Sequence, residues 1–194
     1  MNPPDIRIAE EADRNPAIHS LILSFSSDPL VRWIWPEPSV YLAVQEGFDA
    51  FGGGAIDSNT AYVAGNFEGI AFWMPPGVEP DEDRMVAFLQ RTVPEERQEA
   101  VFGLFEKMDE FHPEETCWYL PTIGVDPACQ GKGIGSQLMK HALQIIDEAG
   151  LPAYLESSNP RNISLYERHG FEIVGQIQVA DSPVAHPMFR EARS

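Results

Sequence analysis

Basic residues are scarce in this chain: 13 Lys plus Arg face 30 Asp plus Glu among 194 residues, a formal net charge of −17. A surface that acidic repels phosphate backbones and anionic lipid headgroups. It argues against nucleic-acid and membrane partners and mildly for cationic or amine-bearing small molecules. Cysteine is nearly absent as well. Cys117 and Cys129 have no further Cys or His at metal-ligand spacing, so no zinc site is expected and both thiols read as reduced. No apolar run approaches the roughly 18 residues needed to cross a bilayer. The N-terminal stretch carries acids and prolines early and lacks the basic-then-apolar order of a signal peptide. These absences predict a cytoplasmic protein without a metal. Internal repeats and low-complexity segments are also missing.

Apolar residues at 43%, with 10% aromatics, suffice for a packed interior. The length suits one domain over 1–194, carrying an insertion. Ile6 to Ile8 reads as a short strand, and Ile18, Leu21, Ile22 and Phe25 recur at helical spacing. Leu30 to Pro38, with Trp33, Trp35 and two prolines, reads as an aromatic-rich loop. Val40 to Phe51 predicts a second helix, ended by Gly52 to Gly54. Thr60 to Ala64 and Gly69 to Met74 predict a hairpin. From Pro80 to Pro113 an acid-rich helical insertion is expected, with a capping box of Thr92 and Glu95 between two helices.

The last third carries the chemistry. Thr116 to Val125 is a strand with a bend at Pro121. A turn holding Gly131, Gly133 and Gly135 follows, then a helix with Ile134, Leu138, Ala142, Ile145 and Ala149 on one face. Pro152 to Glu156 is a strand, Arg161 to His169 a short helix, and Phe171 to Val179 with Val184 to Arg190 a closing strand pair. A strand, a glycine turn and a helix start together make an anion-binding turn. The glycines admit close backbone approach, and the first free N–H groups of the helix point at the anion, aided by the dipole. Lys132 and Ser136 add a charge and a hydroxyl. Two rival phosphate motifs fail: no glycine stands five before Gly131, and the dinucleotide pattern would need glycine where Ser136 or Leu138 stands.

Gln130-x-x-Gly133-x-Gly135 resembles the Q/R-x-x-G-x-G/A signature of the GNAT superfamily, the acyl-CoA-dependent N-acyltransferases. Asn159 to Phe171, with Asn162-Ile-Ser-Leu165-Tyr166-Glu and Gly170-Phe171, resembles that family's N-x-x-(A/N)-I-x-L-Y-E-x-x-G-F segment. In this order, with a strand between, the pair is specific. The flavour is nearest the puromycin-acetyltransferase-like branch, through Tyr154 to Ser158 and Arg168 to Phe171. The resemblance implies an α/β fold, a twisted mixed sheet of about seven strands flanked by helices, whose fourth and fifth strands splay apart to admit acetyl-CoA. It places the acetyl-CoA-binding half at about 116–175. The insertion departs from the common layout.

By that resemblance Ile123 and Val125 offer backbone groups to the pantetheine amides, in the manner of an added strand. Gln130, Gly131, Lys132, Gly133, Gly135 and Ser136 hold the pyrophosphate. Asn159 touches the cofactor; Asn162 either does the same or caps its helix. Tyr166 protonates the departing thiolate, an uphill transfer of roughly 2 kcal/mol from a phenol at about 10 to a thiol at about 8.5. Its alternative is a tyrosine packed against the sheet. The nucleophile is a neutral amine, so a carboxylate base is wanted: Glu156 first, then Glu114 and Glu115. Trp33, Trp35 and Trp73 line an acceptor pocket or belong to the core. The expected reaction moves an acetyl group from acetyl-CoA to an amine of a small molecule, a lysine or an N-terminus by direct attack. A non-catalytic acyl-CoA-binding module is the alternative, and the intact Tyr166 and Gln130 turn argue against it.

Overall fold

The computed structural model describes residues 4–193. Strand β1 (Ile6–Ile8) leads into helices α1 (Arg14–Ser24), α2 (Pro29–Ile34), α3 (Pro38–Tyr41), α4 (Gln45–Gly52) and α5 (Gly54–Asp57). Strands β2 (Ala61–Ala64) and β3 (Gly69–Met74) precede α6 (Glu82–Thr92) and α7 (Glu95–Phe111). Then come β4 (Trp118–Val125), α8 (Ile134–Glu148), β5 (Ala153–Ser157), α9 (Ile163–Arg168), β6 (Glu172–Ile173) and β7 (His186–Arg190). The seven strands form one mixed sheet in the order β1-β2-β3-β4-β5-β7-β6, with β4 and β5 the parallel pair. The fold class is the α/β arrangement expected.

Side chains alternate across β2 and β3 because a strand has period two. Ala61, Val63, Ile70 and Phe72 face the layer of α1, α4, α6 and α7, while Tyr62, Ala64, Ala71 and Trp73 face α8 and the C-terminal half. Both strands are buried throughout, which explains their near-continuous apolar sequence.

The feature that positions the site is the parting of β4 from β5. They pair only through Trp118 with Ala153 and Tyr119 with Tyr154, although β4 runs on to Val125. Just beyond that pairing, the β3–β4 register shifts: Phe72 faces Thr122, but Met74 faces Tyr119. This irregularity flanks Pro121, as the missing proline N–H led us to expect.

Several local expectations are corrected. Asp28 accepts from the N–H groups of Leu30 and Val31, both at 3.0 Å, and so caps a real helix, α2, in the supposed aromatic loop. Val40 to Phe51 is not one helix. The chain tightens through Ala43 N–H to Val40 and Val44 N–H to Tyr41 bonds, then resumes as α4. The Thr92–Glu95 capping box does not form. Thr92 lies inside α6, where its hydroxyl donates to Phe88 O at 2.8 Å and accepts from Trp35 Nε1 at 3.0 Å. Ile145 and Ala149 are exposed; the buried stripe of α8 runs through Leu138, Met139, Ala142, Leu143 and Ile146. Of Phe171 to Val179 only Glu172–Ile173 is strand, with an isolated bridge from Ile177 to Ala185.

Candidate active site

At the glycine turn, α8 starts without any side-chain cap on Gly133, which has φ +81°. The first intrahelical bond is Gln137 N–H to Gly133 O at 3.1 Å, so the N–H groups of Ile134, Gly135 and Ser136 have no partner within the helix. A Cβ at Gly131 would meet nothing within 4 Å, and one at Gly133 only Gln137 Nε2 at 4.0 Å. Open space therefore lies over a row of free donors at a helix N-terminus. Gln130 Nε2 donates to Val125 O at 3.2 Å and ties the turn to the end of β4. Lys132 Nζ donates to Ala128 O at 3.2 Å, and Ser136 Oγ lies 2.9 Å from His169 Nε2, joining α8 to the end of α9.

A polar cavity of about 560 Å³ opens over this turn, and its walls include Ile123, Val125, Gln130, Asn159, Asn162 and Tyr166. Cations are distributed unevenly around the molecule. Arg7, Arg14, Arg84 and Arg91 pair with carboxylates in the first half of the chain, Lys107 pairs with Glu110, and Arg190 pairs with Asp147. Among the described residues, Lys132, Arg161 and Arg168 form no ion pair. Arg32, Arg97, Lys140 and Arg193 are unpaired as well, but Arg161 and Arg168 line the cavity over the turn and Lys132 lies within the turn, so unpaired positive charge is present where an anion would sit. Asn159 spends its side chain locally, accepting from Arg161 N–H at 3.1 Å. Asn162 stands at the start of α9 without a side-chain capping bond.

A second, apolar cavity of about 100 Å³ adjoins the first; Phe25, Ile123, Asn162 and Tyr166 border both. Tyr166 is 5% exposed. Burial, with a smaller push from the Asp28 carboxylate, drives its phenol well above the usual tyrosine value, so it is protonated at neutral pH. Asp28 also accepts from Ser158 Oγ at 2.7 Å, which pins the start of α2 to the chain just after β5. Burial raises the Asp28 carboxyl above the usual carboxylate range, and its three accepted hydrogen bonds offset that rise only in part.

Glu156 reaches the apolar cavity from β5. Tyr119 Oη donates to Glu156 Oε2 at 2.8 Å, while the Tyr154 hydroxyl is buried beside the same carboxylate without a well-formed hydrogen bond. Burial pushes the Glu156 carboxyl up to about 7, with the tyrosine hydroxyls acting against that rise. His112 sets its ring against both tyrosines, centroids 5.1 and 5.0 Å apart. Glu114 and Glu115 are exposed and border neither cavity.

The tryptophans separate. Trp35 lines the apolar cavity, through its place at the end of α2. Trp33 does not: its Nε1 donates to Asp181 Oδ1 at 3.0 Å and its ring lies under the Arg97 guanidinium. Trp73 is fully buried on the α8 face of the sheet, away from the cavity, so the acceptor-pocket expectation for Trp33 and Trp73 is corrected. Sequence reasoning missed Asp28, Tyr119 and Tyr154. The Asp28-Pro29 pair did carry a capping signal; nothing local pointed to the two tyrosines as partners of Glu156.

A splayed parallel pair in a mixed seven-stranded sheet, with a glycine turn and a free helix N-terminus beneath the gap, defines an acyl-CoA N-acyltransferase architecture. Residues 28–171 match the acetyltransferase (GNAT) family, and the chain belongs to it. It is by family and fold an acetyl-CoA-dependent N-acetyltransferase. An uncharacterised N-acetyltransferase of Schizosaccharomyces pombe is 29% identical over 177 residues, spanning 84% of this chain and 72% of that protein. A Corynebacterium glutamicum structure described as histone acetyltransferase HPA2 and related acetyltransferase superposes with a TM-score of 0.70 at 25% identity, over 100% of this chain and 98% of that one. Arylalkylamine N-acetyltransferase 2 from Aedes aegypti shares the fold, with a TM-score of 0.67 at 12% identity over the full length of both chains.

Proposed function

We propose that this enzyme transfers the acetyl group of acetyl-CoA directly to an amine held in the apolar cavity, with Glu156 as base and Tyr166 as acid. One observation carries the reading: the two cavities meet at Tyr166, Ile123 and Asn162, so a coenzyme in one and an acceptor in the other converge there. The residues fit the coenzyme. The free N–H groups of the α8 start and the open space over Gly131 and Gly133 suit a pyrophosphate. The side of β4 left unpaired after Tyr119 leaves Ile123 and Val125 available to pantetheine amides. Asn159 and Asn162 line the same cavity, and Lys132, Arg161 and Arg168 supply unpaired charge.

A primary ammonium near pKa 10.4 is free amine in about one molecule per thousand at pH 7, a handicap of roughly 4 kcal/mol. Glu156 at about 7 is a stronger base than an ordinary carboxylate and narrows that gap. The attacking nitrogen forms its bond to the acyl carbon, the carbon–sulfur bond breaks, and Tyr166 gives its proton to the departing thiolate. Desolvation weakens Tyr166 as an acid but equally penalises a thiolate in the same place, so their hydrogen bond favours transfer in the transition state. The acidic exterior and two free thiols, Cys117 and Cys129, suit a cytoplasmic enzyme acting on a cationic acceptor.

The test is calorimetry with acetyl-CoA together with thiol release across a panel of amines. Binding with amine-dependent release supports the reading. Binding without release from any amine would make the protein an acyl-CoA-binding module, and no binding would remove the coenzyme site.

A further inference from the structure

Resting on the amine-acetylation reading above, we infer that the acceptor is a compact apolar primary amine carrying a single positive charge, selected by the α6–α7 hairpin. Glu156 and Tyr166 are the ionisable side chains on the cavity wall. The remainder is almost wholly apolar, with Trp35, Phe48 and Phe51 on one side and Met85, Leu104 and Met108 from the hairpin on the other. One carboxylate can neutralise one ammonium. A second cation in the same space would be stripped of water with no partner, which is costly.

The wall also disfavours a peptide acceptor. Main-chain amides beside a lysine would need several donors and acceptors, and apart from Glu156 and Tyr166 the wall offers only the Thr122 hydroxyl and the Asn162 amide, since Ser158 already bonds Asp28. The volume is small. A cavity of about 150 Å³ accommodates a benzene ring, and this one is about 100 Å³, although Met85 and Met108 have the flexibility to yield. Leu104 is fully buried and contributes to the wall from α7.

The carboxylates of Glu79, Glu82, Glu106 and Asp109 lie elsewhere. They line a separate surface cavity on the far side of Phe51, Met85 and Phe105, three residues that border both spaces. That placement concentrates ammonium ions near the hairpin without giving a second cation a partner inside.

The experiment compares kcat/KM for n-pentylamine, phenethylamine, 1,5-diaminopentane and a lysine amide at saturating acetyl-CoA. Pentylamine and diaminopentane share a chain and differ by one charge. The expected result is a preference for the monoamines of about 100-fold or more, given the desolvation of an unpaired cation. Met108→Ala, at a partly exposed position, and Leu104→Ala should each raise the hexylamine-to-butylamine ratio by about 10-fold through the enlarged cavity. Acetyl-CoA affinity should be unchanged in both. Equal or better turnover of the diamine or lysine amide overturns the inference while leaving acetylation intact. An unchanged chain-length ratio in a folded Met108→Ala protein overturns the hairpin's role. Failure of every amine to release thiol overturns the acetyltransferase mechanism, and this inference with it.

Discussion

Tyr119 on β4 donates a 2.8 Å hydrogen bond to Glu156 on β5, spanning the two strands where their pairing ends. Tyr119 pairs in register with Tyr154, and Glu156 lies two residues further along β5, on the same face as Tyr154. The carboxylate therefore projects into the gap that the last strand pairing leaves open.

Glu156 should make the enzyme pH-dependent in two ways. Activity rises with pH as the carboxylate loses its proton near 7. Stability runs the other way. The folded-state pKa lies above the unfolded value, so the favourable contribution is complete at acid pH and is lost as pH rises from about 4.5 through 7, on the order of 3 kcal/mol in all. In Glu156→Gln, turnover should fall by about 10²-fold or more, and denaturant unfolding from pH 5 to 8 should lose much of its slope. An unchanged slope would detach the Glu156 carboxyl from the pH dependence of stability.

Tyr119→Phe removes a donor that holds the Glu156 carboxyl down. The ascending limb of the kcat/KM profile should move to higher pH by about one unit. A limb that stays in place, in a protein with normal melting, would separate the hydrogen bond from the titration.

Tyr166→Phe keeps the ring against Phe171 and loses only the hydroxyl. Turnover should drop by about 10²-fold with acetyl-CoA affinity nearly intact by calorimetry. Wild-type turnover in this variant excludes Tyr166 as the acid.

Gly133→Ala forces a side chain into a left-handed conformation at the start of α8, at about 1–2 kcal/mol. Gly150, with φ +65° and open space at its Cβ, follows the other end of the same helix and makes the control. Both variants should melt earlier by similar amounts, but only Gly133→Ala should weaken acetyl-CoA binding, by about 10-fold, because the strain moves the donor row. Equal affinities would detach the turn from the coenzyme.

The legible part of the molecule was that written in short stretches of chain. Gly131 and Gly133 take positive φ for reasons held within a few residues, and the apolar runs of β2 and β3 announce buried strands. Pro121 marked the irregularity in β4 because a missing N–H is a property of one residue. The capping box at Thr92 failed because α6 runs through Thr92 and Pro94 takes the position before α7, while the Thr92 hydroxyl bonds Phe88 O and the distant Trp35 indole. Trp73 missed the acceptor cavity through strand parity, which a pattern buried on both faces does not reveal.

The amino-acid order by itself determined the glycine turn, the helix that follows it and the tyrosine after β5, since each depends on backbone preferences and spacing along one segment. Only the tertiary structure decided that Asp28 would meet Ser158, that Tyr119 would hold Glu156, and that α6 and α7 would wall an apolar cavity. Those contacts join residues far apart in the chain. They form when the layers pack and bury polar groups that then require partners, a demand no local pattern can specify.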